Sequence, residues 1–373
     1  MATISFARGI PAPECLPVDE LADCARAAIE GGGPAALLYG PGGGYAPLRA
    51  WIAERHGVEP ERVVLTNGSL QGFVFLAEGL APGKRVLVEA PTYDRPLRIL
   101  ARIGAEPVAL PMDDEGLDPD GLEHALREGP PPAFLYTIPT FQNPSGRTLS
   151  LERRARVLEL ARAHGLLVIE DDPYGLVSYE GEPPPTLHEL AGGEGVVLSS
   201  SFSKTIAPGV RVGWFVLPRE LADELEARAV STYISPPAAT QATVFEFLRR
   251  GNFEPNLERV RGLLRARRDA MLAALDRQFP DGAAWSRPAG GYFVWLDLAG
   301  DVDAAEVLER AETEGVTFVK GADFFPGGAG GRSSARLAFS YVTPEEIAEG
   351  VARLAAAVAG TPAGVAAGIS PSA

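Results

Sequence analysis

The run "SSSFSKTIAPGVRVGWFV", residues 199–216, holds a lysine at position 204. The chain has only three lysines, Lys84, Lys204 and Lys320, among 34 basic residues that are otherwise arginine. An arginine guanidinium stays charged, whereas an amine in a dry site can lose its proton and attack a carbonyl carbon to form a Schiff base. Lys204 lies between two apolar runs, 196–198 and 212–217, which places it beside a strand end. The competing reading is an ordinary solvated loop lysine.

Three other segments put polar groups at predicted strand ends. In "TNGSLQG", Thr66 ends an apolar run and Gly68-Ser69 opens a helical pattern. Backbone N–H groups at a helix start can bind an anion, though a serine there also serves as a simple cap. In "YTIPTFQNPSGRTLS", the run 133–137 leads to Asn143-Pro144-Ser145-Gly146, a turn whose Asn side chain could meet a ligand oxygen and whose Asn–Pro bond is a candidate cis peptide. In "LLVIEDDPYG", Glu170, Asp171 and Asp172 follow one another, then Tyr174. Packed carboxylates are costly unless a cation or ligand compensates them. No His or Cys accompanies them, so a carboxylate meeting a protonated heteroaromatic nitrogen fits better than a metal site. Beside Lys204, Ser201 and Arg211 add a hydroxyl and a planar fork suited to phosphate. One ligand uses all four segments: pyridoxal 5'-phosphate, with its phosphate, ring nitrogen, phenolic oxygen and aldehyde.

These groups must be carried by strands. Short apolar runs at 63–66, 85–89, 107–110, 133–137, 166–170, 196–199 and 211–217 alternate with helical patterns such as 150–164, whose apolar stripe is Leu151, Val157, Leu158 and Leu160. That alternation predicts an α/β protein with a mostly parallel sheet and ligands beyond the carboxyl ends of its strands. After about residue 237 the pattern changes. A long helix over 255–279 carries Arg259, Arg261, Arg265, Arg267 and Arg268, expected on solvated faces, and leads to a smaller α+β section. The segment 359–373 is rich in Gly, Pro, Ala and Ser and is expected to be disordered. A net charge of −15 argues against non-specific nucleic-acid binding, which needs a basic face. No apolar run approaches the roughly 18 residues of a membrane span, and no secretory leader or metal-ligand spacing is visible. A cytoplasmic, reduced, metal-free protein is the expectation.

From Ile4 to Ala357 the chain resembles the fold-type I, class I/II aminotransferases, near the 2-aminoadipate and kynurenine aminotransferases. The likeness rests on "SFARGIPAPECLP", "YGPGGGYAPLR", "TNGSLQG", "EAPTYD", "YTIPTFQNPSG", "VIEDDPYG", "SFSKTIAPGVRVG", "RPAGGYFVW" and "ARLAFS", in that order. The resemblance implies the fold-type I architecture: a large cofactor-binding domain over 34–255 and a smaller domain from 1–33 and 256–358. It implies that Lys204 carries the cofactor as a Schiff base and moves protons between substrate and cofactor. By the same resemblance Asp171 pairs with the ring nitrogen, Tyr174 and Asn143 bond the phenolic oxygen, and Tyr93 stacks on the ring. Ser69, the amide of Leu70, Ser201 and Arg211 hold the phosphate. Tyr39 reaches the phosphate of a partner subunit, which makes the protein a homodimer, and Arg336 grips the substrate α-carboxylate, with an exposed edge-strand arginine as the alternative.

Several positions depart from the family pattern. The N-terminal helical segment that usually covers the substrate is not seen ahead of "SFARGIP", so the resemblance names no substrate. Arg8 stands where relatives have Gly, and either meets an acidic substrate side chain or turns to solvent. Leu70 replaces a Gln of the phosphate loop, and Tyr292 stands where many relatives have Met. The implied activity is ping-pong transamination between an L-amino acid and a 2-keto acid. The rivals are another fold-type I reaction (a lyase, decarboxylase, racemase or cyclase) and a non-catalytic, effector-sensing relative.

Overall fold

The computed structural model describes residues 3–279 and 282–360. Apart from Ala359 and Gly360, the segment expected to be disordered lies outside the described residues. Seven strands form a central sheet in the order Val63–Thr66, Gly213–Val216, Val196–Ser201, Val168–Asp171, Leu135–Thr137, Arg85–Glu89 and Glu106–Leu110. Gly213–Val216 runs antiparallel to both neighbours and every other pairing is parallel. The edge strand Val63–Thr66 and its inner neighbour Gly213–Val216 are buried at every position. Helices therefore cover both faces, which is why these strands read as unbroken apolar runs rather than as alternation.

The helix Leu151–His164 starts on the Ser150 side chain, whose Oγ accepts from Arg153 N, and stops at Gly165 in the left-handed region with φ 61°. Its buried face is Arg154, Val157, Leu160 and Ala161. Leu151, expected in the apolar stripe, is instead exposed. It is the first helical residue, and its side chain leans back past the end of the packed layer. Arg154 takes its place in the interior. Fully buried, it donates to the carbonyls of Leu149, Pro139 and Pro185 and lies 3.8 Å from Glu170.

The long helix spans Phe253–Gln278. Arg259 and Arg265 do lie at the surface and Arg261 is half-buried, but Arg267 and Arg268 correct the expectation of solvated faces, because both are buried. Each guanidinium finds acceptors contributed from distant parts of the chain. Arg267 donates to the Ser340 carbonyl at 2.9 Å and pairs with Glu14. Arg268 donates to the Pro288 carbonyl at 2.6 Å, pairs with Glu180 at 2.6 Å and lies over the Tyr179 ring. A buried cation is tolerated when its donors are satisfied in this way.

Beyond that helix, an antiparallel sheet runs in the order Ala284–Trp285, Phe293–Asp297, Ser334–Ala338 and Val319–Lys320. The N-terminal strand Ile4–Ser5 pairs in parallel with Val316–Thr317. It threads residues 6–10 across the carboxyl ends of the central strands. Among the described residues no helix is long and apolar enough to cross a membrane, and no group of three His, Cys, Asp or Glu is placed to hold a metal ion.

Candidate active site

A cavity of about 400 Å³ opens at the carboxyl ends of the central strands. It is lined by Ser69, Leu70, Tyr93, Asn143, Asp171, Tyr174, Ser201, Lys204, Arg211 and Arg336, which join six separate stretches of sequence. Tyr39 and Arg8 are not in the lining. Tyr39 is 79% exposed, and Arg8 is turned onto the ring of Tyr341, its guanidinium carbon 5.2 Å from the centroid.

One end of the cavity is built for an anion. The helix Ser69–Leu80 begins directly after Gly68, which has φ 86°. Its first turn presents free backbone N–H groups. Gly213 on the neighbouring strand allows this approach: a Cβ there would lie 2.2 Å from Ser69 N and 2.5 Å from Gly68 C. Neither obstacle is a flexible side chain, so the loop itself would have to move. Gly213→Ala is therefore expected to weaken pyridoxal phosphate binding at least tenfold, measured by equilibrium titration, while the sheet strand still forms. Arg211 completes this end. It sits in the left-handed region (φ 51°) and donates to the Asn67 carbonyl at 2.9 Å.

Lys204 lies in the middle. Its Nζ donates to the Gly9 carbonyl at 2.6 Å and lies 5.1 Å from the Tyr292 ring centroid and 5.8 Å from that of Tyr174. Burial, helped by the charge of Arg336, lowers the ammonium to about 8, against the pull of Asp171. An amine in that range is neutral often enough near neutral pH to act as a nucleophile. Tyr292 is fully buried and donates to the Lys204 carbonyl at 3.0 Å, anchoring the backbone of the residue that reacts.

Burial pushes the Asp171 carboxyl up to about 6, although Tyr136 and Ser199 donate to it and Lys204 attracts it. The three consecutive carboxylates separate by the alternation of a strand. Glu170 faces the other way, accepting from the Leu187 and His188 amides at 2.9 Å each, and burial raises it to about 8. Asp172 accepts from the Gly175 amide at 2.8 Å. Only Asp171 lines the cavity.

At the far side, Arg336 is 7% exposed on Ser334–Ala338, an inner strand of its sheet, so the edge-strand alternative does not hold. Its Nη1 donates to Asn143 Oδ1 at 3.1 Å and its Nη2 to the Ala7 carbonyl at 2.8 Å, while the buried Nε has no partner among the described residues. The rings of Phe293 and Phe324 flank the guanidinium at 4.5 and 5.0 Å. Both present partners are neutral. A buried cation on the cavity wall whose partners are both neutral suits a carboxylate. The Asn143–Pro144 bond is cis, as the Asn–Pro dipeptide suggested.

The donor set fits pyridoxal phosphate: an anion end, a buried carboxylate facing the cavity and a low-pKa amine share one cavity. Sequence reasoning missed Tyr136, Ser199 and the Gly9 carbonyl. Gly9 carries no side-chain signal. Tyr136 and Ser199 read as ordinary strand residues.

The comparisons with known proteins agree. The family model for aminotransferase class I and II matches residues 15–354. The chain is 41% identical over 365 residues to a 2-aminoadipate transaminase of Thermus thermophilus, covering 96% of this chain and 90% of that protein. It is 36% identical to an aromatic-amino-acid aminotransferase of Thermococcus litoralis, covering 94% of this chain and 87% of the relative. Among solved structures, the α-aminoadipate aminotransferase of Thermus thermophilus complexed with N-(5'-phosphopyridoxyl)-L-leucine superposes with a TM-score of 0.92 at 40% identity, covering 96% of this chain and 92% of that one. The chain belongs to the class I and II aminotransferases, with the fold-type I architecture. It is a pyridoxal phosphate-dependent enzyme that moves an amino group between an amino acid and a 2-keto acid, and nothing in the comparisons favours a lyase, a racemase or a sensor.

Proposed function

We propose that this cavity performs both half-reactions of transamination with the residue roles that follow. The observation that carries the reading is that a low-pKa amine, Lys204, shares one cavity with the buried carboxylate Asp171 and with Arg336, whose partners are neutral. Pyridoxal phosphate supplies an electrophilic aldehyde and a protonated ring that accepts the electron pair left when the substrate Cα loses its proton. Ser69, the Leu70 amide, Ser201 and Arg211 hold the phosphate. Asp171 binds the protonated ring nitrogen, Tyr174 and Asn143 bond the phenolic oxygen, and Tyr93 covers the ring.

Lys204 would hold the cofactor through its amine, and the same amine, when free, would move the proton between the substrate Cα and the cofactor carbon C4'. Arg336 holds the α-carboxylate so that the Cα–H bond points at Lys204. With Arg8 resting on Tyr341, the cationic group that acts on substrate is Arg336, and the common feature of the substrates is an α-carboxylate beside an amine or ketone. The aminoadipate and aromatic amino acid in the relatives' names share that feature and are the first substrates to try.

The reading includes a cytoplasmic homodimer, with a large domain over 34–255 and a smaller one from 1–33 and 256–358. Leu37, Leu38 and Tyr39 are exposed and apolar, and so are Val230 and Ile234. The two segments lie side by side, with Gly40 N donating to Ser235 Oγ at 3.2 Å. An exposed apolar patch of this kind suits a partner subunit, and Tyr39 within it is free to reach that subunit's phosphate end.

The test is the visible spectrum of the protein with pyridoxal phosphate, before and after borohydride, followed by peptide mapping. The expected result is a yellow band that an amino acid bleaches and that borohydride fixes irreversibly onto Lys204. Label spread over other amines, or no band at all, would overturn the residue assignment.

A further inference from the structure

The Asp171 carboxylate is held from two sides by residues to which the motifs assign no role. Ser199 stands directly opposite Asp171 in the pairing of Val168–Asp171 with Val196–Ser201, and its Oγ donates to Oδ1 at 3.2 Å. On the other side, Tyr136 stands opposite Ile169. Tyr136 and Asp171 therefore leave the sheet on the same face, two positions apart along the strand. A phenol is long enough to close that offset, and Tyr136 Oη donates to Oδ2 at 2.8 Å. The Tyr136 ring is 1% exposed and packs edge-on to Phe73 at 5.1 Å, so its direction is set by packing. Burial and the Asp171 charge keep the phenol far above its ordinary pKa, so it retains its proton and can only donate.

The other groups facing Asp171 do not hold it as these do. Lys204 attracts it, Asp172 repels it, and the half-buried Tyr93 and the buried Tyr174 are neutral phenols. Burial alone drives the carboxyl toward its neutral form, and the two hydrogen bonds oppose that. A neutral carboxylic acid would offer the ring nitrogen a proton instead of a charge.

We propose that Tyr136 and Ser199 are positioning residues that orient the Asp171 carboxylate and keep it ionised, so that the site selects a protonated heteroaromatic ring. This rests on the assignment of Asp171 to the ring nitrogen.

The test uses Tyr136→Phe and Ser199→Ala, with Asp171→Asn as reference. Phenylalanine keeps the packing against Phe73 and removes only the hydroxyl. Two probes are titrated into the cofactor-free protein: pyridoxal phosphate and its 1-deaza analogue, in which carbon replaces the ring nitrogen. The Asp171 carboxyl is followed separately by 13C NMR as the pH is raised. Tyr136→Phe is expected to weaken pyridoxal phosphate binding roughly ten- to a hundredfold, the range for a hydrogen bond to a charged group. It should also raise the Asp171 titration, yet leave the deaza analogue bound as in the parent. Ser199→Ala should do the same to a smaller degree, and it carries the test if Tyr136→Phe does not fold. Unchanged carboxyl titration and unchanged binding in both variants would overturn the proposal, and so would equal loss of both probes, which would mean general damage. If Asp171→Asn also binds pyridoxal phosphate as the parent does, the assignment of Asp171 falls with it.

Discussion

Lys204→Ala is expected to lower the transamination rate by about 10⁴-fold or more, because it removes both the covalent attachment and the proton carrier. The fold should survive. Lys204 makes one side-chain hydrogen bond, to the Gly9 carbonyl, and the Tyr292 contact that anchors position 204 is to its backbone. The variant should still bind pyridoxal phosphate through the phosphate end, lack the borohydride-stable label and turn over no amino acid. Methylamine in the buffer should restore a fraction of the activity, since a small amine can occupy the vacated volume and carry the proton, whereas a purely structural loss would not respond. Sustained transamination by the alanine variant without added amine would remove Lys204 from the mechanism.

The parent carries a pH signature of the same residue. With its ammonium lowered to about 8, the nucleophilic neutral form grows as pH rises, is half of the total at that value and is nearly complete about one unit above it. Covalent uptake of pyridoxal phosphate by the cofactor-free protein should accordingly accelerate from pH 6 through about 8 and level off about one unit higher. The alanine variant should show no such dependence.

Asp171→Asn has the second largest expected effect. Asparagine keeps the shape, but its single amide oxygen can replace only one of the two acceptors that Tyr136 and Ser199 use, and it carries no charge for the ring nitrogen. Position 171 would then no longer favour a protonated ring, and the site would stabilise the charge left at the substrate Cα less well. A drop of about 10²–10³-fold in the single-turnover rate is expected, comparable to removing one preorganised group from a charge-stabilising site. Pyridoxal phosphate binding should weaken as well. The check is stopped-flow absorbance with a saturating amino acid, which separates the chemical step from binding. A single-turnover rate within a few-fold of the parent would show that ring protonation does not depend on Asp171.

The parts of the site legible in the sequence are those encoded within a few residues. Gly68-Ser69, Asn143-Pro144, the Glu170-Asp171-Asp172 run and the Ser201–Lys204–Arg211 spacing each combine an apolar strand with a turn and a polar group, so each could be placed at a strand end. The strands at 63–66 and 85–89 match at both ends, because strands buried on both faces are continuous apolar runs closed by turn residues. The strand at 133–137 begins later, at Leu135, and that at 211–217 shortens to Gly213–Val216. Arg211, in the left-handed region, cannot continue the extended backbone.

What local pattern could not supply is any fact that depends on two distant segments meeting. Arg267 and Arg268 read as solvent-facing because a helix full of arginines is usually solvated. Their burial required Glu14, Ser340, Glu180 and Pro288 to be brought alongside. Arg8 could be read as meeting a substrate side chain or as turning to solvent, and only the folded chain sets it beside Tyr341. Tyr136 lies 35 residues from Asp171 and Ser199 lies 28, so their hydrogen bonds exist only because parallel pairing sets those strands in register. The sequence by itself determined the chemistry available: an amine, a carboxylate, an anion loop and a guanidinium at strand ends, and the family to which their order belongs. Tertiary structure alone decided which carboxylate of three faces the cavity, what lowers the amine and what holds Asp171 ionised. Burial and register, which are properties of the packed sheet, set all three.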